Sequence, residues 1–532
     1  MNIPSMLTRT IERFPHYPAL VYEGRSWTYA QWYARMGRLA DSLSELGVRP
    51  SDRVAFYVDT SEQSVTTYFA CQRLGAAAVP INFRLAPGEV ADILWDSGAR
   101  VLVYGRPLTE NVLAVAERVR TVHDYVSCSY DADAIPAGHH QFETLAEQTE
   151  TGGTTLRPDP FASHRTALVY TSGTTGRPKG VMHSHGNDVA IAMNCVMEYG
   201  LSQRDTALHI APLYHVGGMQ SYFIPHVMVG ATNAILGRYD ALTTLETIQT
   251  QRVTTLFAVP TQIQEMLFHP RFREFDVSSL RMITTGGSAM ASATMERVIR
   301  EFCPNIYNGY GMTEASLALL LHPEEALTHL GSCGKPTLIT DCRIVRHEPG
   351  SDVSPSETAE PEELREPTET TEADEIGQLV VRGPQTTLGY WNNPIETERK
   401  IKDGWLYTGD LFSRDAEGFY DFRGRVDDMI VSGGENIHPR EVEEVLYHCP
   451  GVQEATVVGL PDAEWGNAVS AFIVKGSPDL TAETVNDFCH ASEDLAAFKR
   501  PRRIFFLDAL PTNPSGKVLK HELVARFGEE DS

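Results

Sequence analysis

At 532 residues, 42% hydrophobic and 22% charged, the chain has the make-up of a soluble globular protein, too long for one ordinary core, so about three or four domains is the starting expectation. A net charge of −25 disfavours nucleic acid as a partner, and eight scattered cysteines without a CxxC pair argue against a disulfide framework or a zinc site. There is no signal-peptide core near the N-terminus and no apolar run of about 18 residues, so the expectation is a cytoplasmic protein with no transmembrane segment.

From Phe14 to Gly105 short apolar runs alternate with amphipathic stretches. SWTYAQWYARMGRLADSLSELGV has apolar residues at helical spacing and closes at Gly47; RVAFYV and ARVLVYG read as buried strands, and SVTTYFACQRLGAAAVPIN as a helix followed by a strand. Alternating βα units imply a largely parallel sheet flanked by helices. Residues 106–164 read as irregular, with His139 and His140 in a solvated loop rather than on a metal.

Leu168 to His185, LVYTSGTTGRPKGVMHSH, is an apolar strand running into a loop rich in donors. Its glycines let backbone approach a ligand, its hydroxyls and amides suit phosphate oxygens, and Lys179 adds a flexible point charge. It is not the common P-loop, because Pro178 stands where that pattern needs glycine. Three further stretches repeat the strand-to-loop grammar: ALHIAPLYHVGGM with His215, TTLFAVPTQIQEML, and LRMITTGGSAM with Gly287. In open α/β sheets ligands gather at such carboxyl ends. In YNGYGMTE, a Gly-flanked aromatic followed by an acid fits base stacking and a divalent-cation ligand.

Residues 348–375 hold eleven carboxylates and one arginine, a net −10, with almost nothing apolar, and read as a disordered acidic insertion between two pairing strands, CRIVR and GQLVVRG. Next come WLYTGDLFSRDAEGFYDFRGR, VDDMIVSGGENIHPREVEEVL and, near the end, PTNPSGKVLK. Composition changes past Tyr420, which places a domain boundary at 425–428.

In this order the motifs resemble those of the adenylate-forming enzymes, the superfamily of acyl-CoA synthetases, firefly luciferase and peptide-synthetase adenylation domains, and the resemblance spans nearly the whole chain. It implies an α/β fold with a large N-terminal domain of βα-layered sheets (1–424), a hinge at 425–428 centred on Asp427, and a small mobile α+β C-terminal domain (429–532). It implies that Thr171, Ser172, Gly173, Thr174, Thr175, Gly176 and Lys179 bind ATP phosphates, and that Gly287, Ser288, Asn308, Gly309, Tyr310, Gly311 and Thr313 surround adenine and the α-phosphate. Asp410 and Arg425 fall on the ribose, and Glu314 with Thr171 on Mg²⁺. Lys517 is the lysine that enters for adenylation. His215 would sit beside the acid's carboxylate, with Gly217, Gly218, Met219, Phe223 and Gly287 along the acyl pocket.

The acceptor thiol is left to the same resemblance. Gly433, Gly434, Glu435, Trp465, Phe498 and Lys499 match the coenzyme A tunnel of free-standing aryl- and medium-chain acyl-CoA ligases. The reading is therefore an acid:CoA ligase using ATP, Mg²⁺ and coenzyme A, with a carrier-protein thiol as the alternative acceptor. A luciferase-like oxidation and a non-catalytic scaffold are the rivals from other classes. A homodimer is the assembly left open. The side chains near His215 do not separate fatty from aromatic acids.

Overall fold

The structure, a computed structural model, describes residues 1–147, 164–171, 178–288, 290, 292–346, 373–433, 435–462, 465–492, 495–512 and 518–528. The chain builds a large N-terminal α/β domain of parallel and mixed sheets and a smaller C-terminal domain.

The first sheet has seven strands, in the order 140–141, 124–127, 101–104, 53–57, 77–80, 165–171 and 179–184. All neighbours are parallel except the last pair, Arg165–Thr171 with Lys179–Ser184, an antiparallel hairpin in which Thr171 pairs with Lys179. Val101–Tyr104 is buried along its whole length, as a strand covered on both faces must be. The helix Tyr29–Glu45 starts on a capping box between Thr28 and Gln31 and stops before Gly47, whose φ of 87° suits only a residue without Cβ strain. Trp32 on that helix is fully buried, edge-on to Phe69 and Phe223, with its indole N–H donating to Thr66 Oγ1 at 2.9 Å.

The second sheet has nine strands. Six of them, Ile306–Met312, Met282–Gly286, Thr255–Phe257, Thr206–His209, Thr232–Ile235 and Pro18–Tyr22, run parallel side by side. The stretches ALHIAPLYHVGGM, TTLFAVPTQIQEML and LRMITTGGSAM thus end on one edge of this sheet. A third sheet pairs Asp341–Val345 with Gly377–Arg382 across the acidic insertion, as the two apolar runs suggested, and continues into Trp405–Arg414. The C-terminal domain carries the sheet Val452–Asp462, Gly466–Lys475 and Arg503–Leu507, with the helix Pro439–Tyr447 packed on it.

Two expectations are corrected. Residues 106–147 are not irregular: they contain the helix Thr109–Ala116, which buries Val112 and Val115, the strand Asp124–Ser127 and the helix Phe142–Glu147. Short elements with two or three core residues each fall below what hydrophobic periodicity resolves. His139 and His140 are not simply solvated either. His139 stacks on Tyr125 at 4.9 Å and hydrogen-bonds the Tyr104 hydroxyl at 2.8 Å, while His140 lies 3.2 Å from Asp124. Among the described residues no cluster of His, Cys, Asp and Glu could hold a metal ion, and no helix is long and apolar enough to cross a membrane.

Candidate active site

The phosphate-loop hairpin is positioned by its two strands, with Tyr170 anchored by a 2.6 Å hydrogen bond to Asp96 Oδ2. Ser172, Gly173, Thr174, Thr175 and Gly176 lie outside the described residues. Thr171 ends one strand and Lys179 begins the other. A Cβ at Gly180 would sit 3.0 Å from the Tyr170 ring and 3.3 Å from Trp391, a tight fit on the return strand.

A segment the sequence did not single out laces this hairpin to the acidic motif. Thr387 N–H donates to the Glu314 carbonyl at 2.7 Å, Met182 N–H to Gly389 O at 2.9 Å, and Trp391 N–H to Gly180 O at 2.7 Å. The Tyr390 phenol donates to Glu314 Oε1 at 2.7 Å, and Lys179 Nζ pairs with Glu396 Oε1 at 2.8 Å. Against the upward push of burial, Arg399 and Lys179 hold the Glu396 carboxyl below its usual range. The signal in the sequence was the chain GYWNNPIE itself, whose partners lie about 76 and 217 residues away and cannot be read locally.

Glu314 is nearly buried, with Oε1 occupied by the phenol. One carboxylate on the turn laced to the hairpin fits Mg²⁺, which commonly takes one or two carboxylates and completes its shell with phosphate oxygens and water.

YNGYGMTE forms the end of the strand Ile306–Met312 and the turn after it. The Tyr310 phenol donates to Asp410 Oδ2 at 2.6 Å, and Arg425 Nε lies 3.5 Å from Asp410 Oδ1. Burial and the Asp410 carboxylate push the Tyr310 phenol well above its usual range, so it remains a donor. Asp410 is itself oriented by a 3.0 Å bond from its N–H to Thr408 Oγ1. A Cβ at Gly311 would meet the backbone oxygen of Ser316 at 1.9 Å, so packing dictates that glycine, while one at Gly309 would meet the end of the Leu317 side chain at 2.7 Å. Asn308 donates to Ser332 O at 2.9 Å, which ties it to the neighbouring loop, and Thr313 is buried. On the adjacent strand Gly286 faces Gly309 O, and Gly287, at φ 86°, turns the chain into Ser288.

His215 caps the short turn Val216–Gly218 by accepting the Gly217 N–H on Nδ1 at 3.2 Å. Burial lowers its pKa, so the ring is neutral at pH 7, and with Nδ1 accepting, its proton sits on Nε2. A Cβ at Gly217 would touch the Phe257 ring at 3.3 Å, and one at Gly218 would meet Pro212 O at 2.4 Å. Phe257, at the end of its strand, is a neighbour of this pocket that the motif pattern did not reveal. Met219 and Phe223 open and close a π-helical turn, a geometry frequent at functional sites. Both belong to the apolar core around Trp32 and Phe69, and Phe223 has no exposed surface.

In the small domain Gly433 donates its N–H to Trp465 O at 2.8 Å, and a Cβ there would press on the indole at 2.8 Å. Arg502, not anticipated, lies 4.0 Å over the Trp465 ring and donates to Phe498 O at 3.4 Å. Phe498 is exposed, Lys499 pairs with Glu441, and Glu435 is exposed on the strand Glu435–Ile437. Gly434 and Lys517 lie outside the described residues, although Thr512 and Val518, on either side of the Lys517 stretch, form an antiparallel bridge. Asp427 lies in a 3₁₀ turn, Val426–Asp428, between strands.

A family model described as AMP-binding enzyme matches residues 7–391, and one described as AMP-binding enzyme C-terminal domain matches residues 441–517. The chain is 36% identical to a feruloyl-CoA synthase of Amycolatopsis over 529 residues, 99% of each chain. It is 33% identical to a long-chain-fatty-acid–CoA ligase of Mycobacterium tuberculosis, covering 94% of this chain and 93% of that one. The solved structure of an o-succinylbenzoate CoA synthetase from Bacillus subtilis, in complex with its acyl-adenylate intermediate, superposes with a TM-score of 0.82 at 30% identity and 97% coverage of both chains.

Proposed function

We propose, from the premise that this chain belongs to the AMP-binding enzyme family, that it is an ATP-dependent carboxylic acid:CoA ligase acting on a fatty or aromatic acid. The observation that carries the reading is the convergence of Tyr310, Asp410 and Arg425 on one side, with Tyr390, Glu314 and the phosphate-loop hairpin on the other.

A carboxylate is a poor electrophile. Attack of its oxygen on the α-phosphate of ATP breaks the bond to pyrophosphate and leaves an acyl-adenylate, whose carbonyl now bears a good leaving group. A thiol then attacks that carbonyl and expels AMP. In the first step Asp410 accepts from the ribose hydroxyls and Tyr310 supports adenine. The phosphate-loop residues hold the departing pyrophosphate, and Lys517 supplies preorganised charge between the two anions. Glu314 and Thr171 would hold Mg²⁺, which when bound would neutralise phosphate charge. The neutral His215, with its proton on Nε2, donates toward the acid's carboxylate.

The second step needs the volume that Lys517 occupies. Rotation about Asp427, at the 425–428 boundary, exchanges the Lys517 face for the Gly433–Trp465 face, along which the pantetheine arm reaches the adenylate. The eight cysteines are all free thiols, which suits the proposed cytoplasmic setting. Pyrophosphate release across a panel of fatty and aromatic acids, with and without coenzyme A, tests the proposal. An acid that releases pyrophosphate alone and yields AMP and a thioester with coenzyme A supports it; consumption of the adenylate only by a carrier protein overturns the choice of acceptor.

A further inference from the structure

His183 stands on the return strand of the phosphate-loop hairpin, and no role is assigned to it above. It is fully buried, as is Asp188 on the helix that follows. Its Nε2 lies 3.0 Å from the carbonyl oxygen of Thr313. A carbonyl only accepts, so Nε2 carries a proton. Its Nδ1 lies 3.5 Å from Asp188 Oδ1, and neither of these two atoms has a hydrogen-bond partner among the described residues. The other Asp188 oxygen accepts from the Tyr68 phenol at 2.7 Å. Tyr68, Asp188, His183 and Thr313 therefore form one buried line, from a helix of the first sheet's layer to the turn that carries Glu314.

That turn is under local strain. Ser316 holds a φ of 52°, and Gly311 faces Ser316 O with no space for a side chain. A strained turn keeps its shape only where its surroundings over-determine it. Thr387 holds the Glu314 carbonyl on one side, and His183 holds the Thr313 carbonyl on the other. The imidazole also fixes the distance between the two parts of the site that share the triphosphate, because it belongs to the phosphate-loop hairpin and binds the acidic turn.

We propose that His183 is a positioning residue for nucleotide binding: the Asp188–His183–Thr313 line sets the acidic turn against the phosphate-loop hairpin. This rests on the ligase reading for its role in catalysis, but its test does not. Removing one partner of a buried polar pair leaves the other unsatisfied, so truncating His183 or Asp188 alone is uninformative. Two double variants avoid this. H183Q/D188N keeps an N–H donor where Nε2 stood, and H183L/D188N removes it, while both carry the same neutral residue at 188. Affinity for ATP in the presence of Mg²⁺, by calorimetry, and melting temperature are measured for both.

H183Q/D188N is expected to bind within about threefold of the wild type, and H183L/D188N about tenfold more weakly than H183Q/D188N, at matched melting temperatures. Equal affinities of the two would overturn the proposal, since a merely structural role follows stability and not the donor. If either double variant fails to fold, Tyr68→Phe loosens Asp188 alone; about threefold weaker binding is expected, and unchanged binding overturns the proposal. A wild type that binds ATP yet releases no pyrophosphate with any acid would sink the ligase reading and leave this comparison intact.

Discussion

The Tyr310 phenol donates to Asp410 Oδ2 at 2.6 Å across 100 residues of sequence, joining the residue assigned to adenine and the residue assigned to ribose in one hydrogen bond. A hydrogen bond to a charged group contributes about 1.5–3 kcal/mol. Asp410→Asn is therefore expected to raise the KM for ATP by about tenfold to a hundredfold, and Tyr310→Phe, which keeps the ring, by about threefold to tenfold. Steady-state pyrophosphate release at varied ATP checks both; a kcat effect with unchanged KM would place the pair elsewhere in the cycle.

Lys179 pairs with Glu396 at 2.8 Å, with both side chains largely buried. Phosphate must draw the lysine away from that carboxylate. Glu396→Gln is expected to tighten ATP binding about twofold to fivefold, an effect of under about 1 kcal/mol, and to reduce the salt dependence of binding. Weaker binding in calorimetry would mean that Glu396 aims the lysine rather than restraining it.

Two buried histidines set a pH limit on stability. Burial lowers His209 to about 3 and His226 to about 4, from an ordinary value of 6.5. Both fold as neutral rings, with His209 Nε2 on Asn233 Oδ1 and His226 Nε2 on Thr255 Oγ1, each at 2.9 Å. The unfolded chain takes up their protons below pH 6.5 and the folded chain does not, so stability falls as pH drops from 6.5 towards 4. The loss is about 1.4 kcal/mol per pH unit for each ring. Urea unfolding at pH 7 and pH 5 measures it, and His209→Gln should shrink the difference.

Gly433 has a φ of 62° and presses on Trp465. Gly433→Ala is expected to slow thioester formation from a preformed adenylate about tenfold or more while leaving adenylation within about twofold, since left-handed backbone costs a side-chain residue about 1–2 kcal/mol. Equal losses in both half-reactions would contradict the assignment of this face to coenzyme A.

The nucleotide side of the site was legible in the sequence because its chemistry is written in contiguous residues. TSGTTGRPKG and YNGYGMTE need only their own glycines, hydroxyls and acid to be understood, and at Gly311 a Cβ would clash with Ser316 O. What was not legible depends on distant partners. Tyr390 means nothing until Glu314 is beside it, and Arg502 nothing until Trp465 is. Phe223 is ambiguous in the sequence because an apolar residue one helical turn past a motif is as well placed for the core as for the pocket, and its ring packs on Trp32. The elements between 106 and 147 escaped because each buries too little to leave a period.

The central claim is that one site activates an acid as its adenylate with Lys517 present and transfers it to coenzyme A with Lys517 withdrawn. The most direct measurement is single-turnover kinetics of the two half-reactions in Lys517→Ala, with an acid that the wild type accepts. The expected result is an adenylation rate lower by about 10²–10³, with thioester formation from supplied acyl-adenylate within about threefold of the wild type. Adenylation at the wild-type rate would contradict the account.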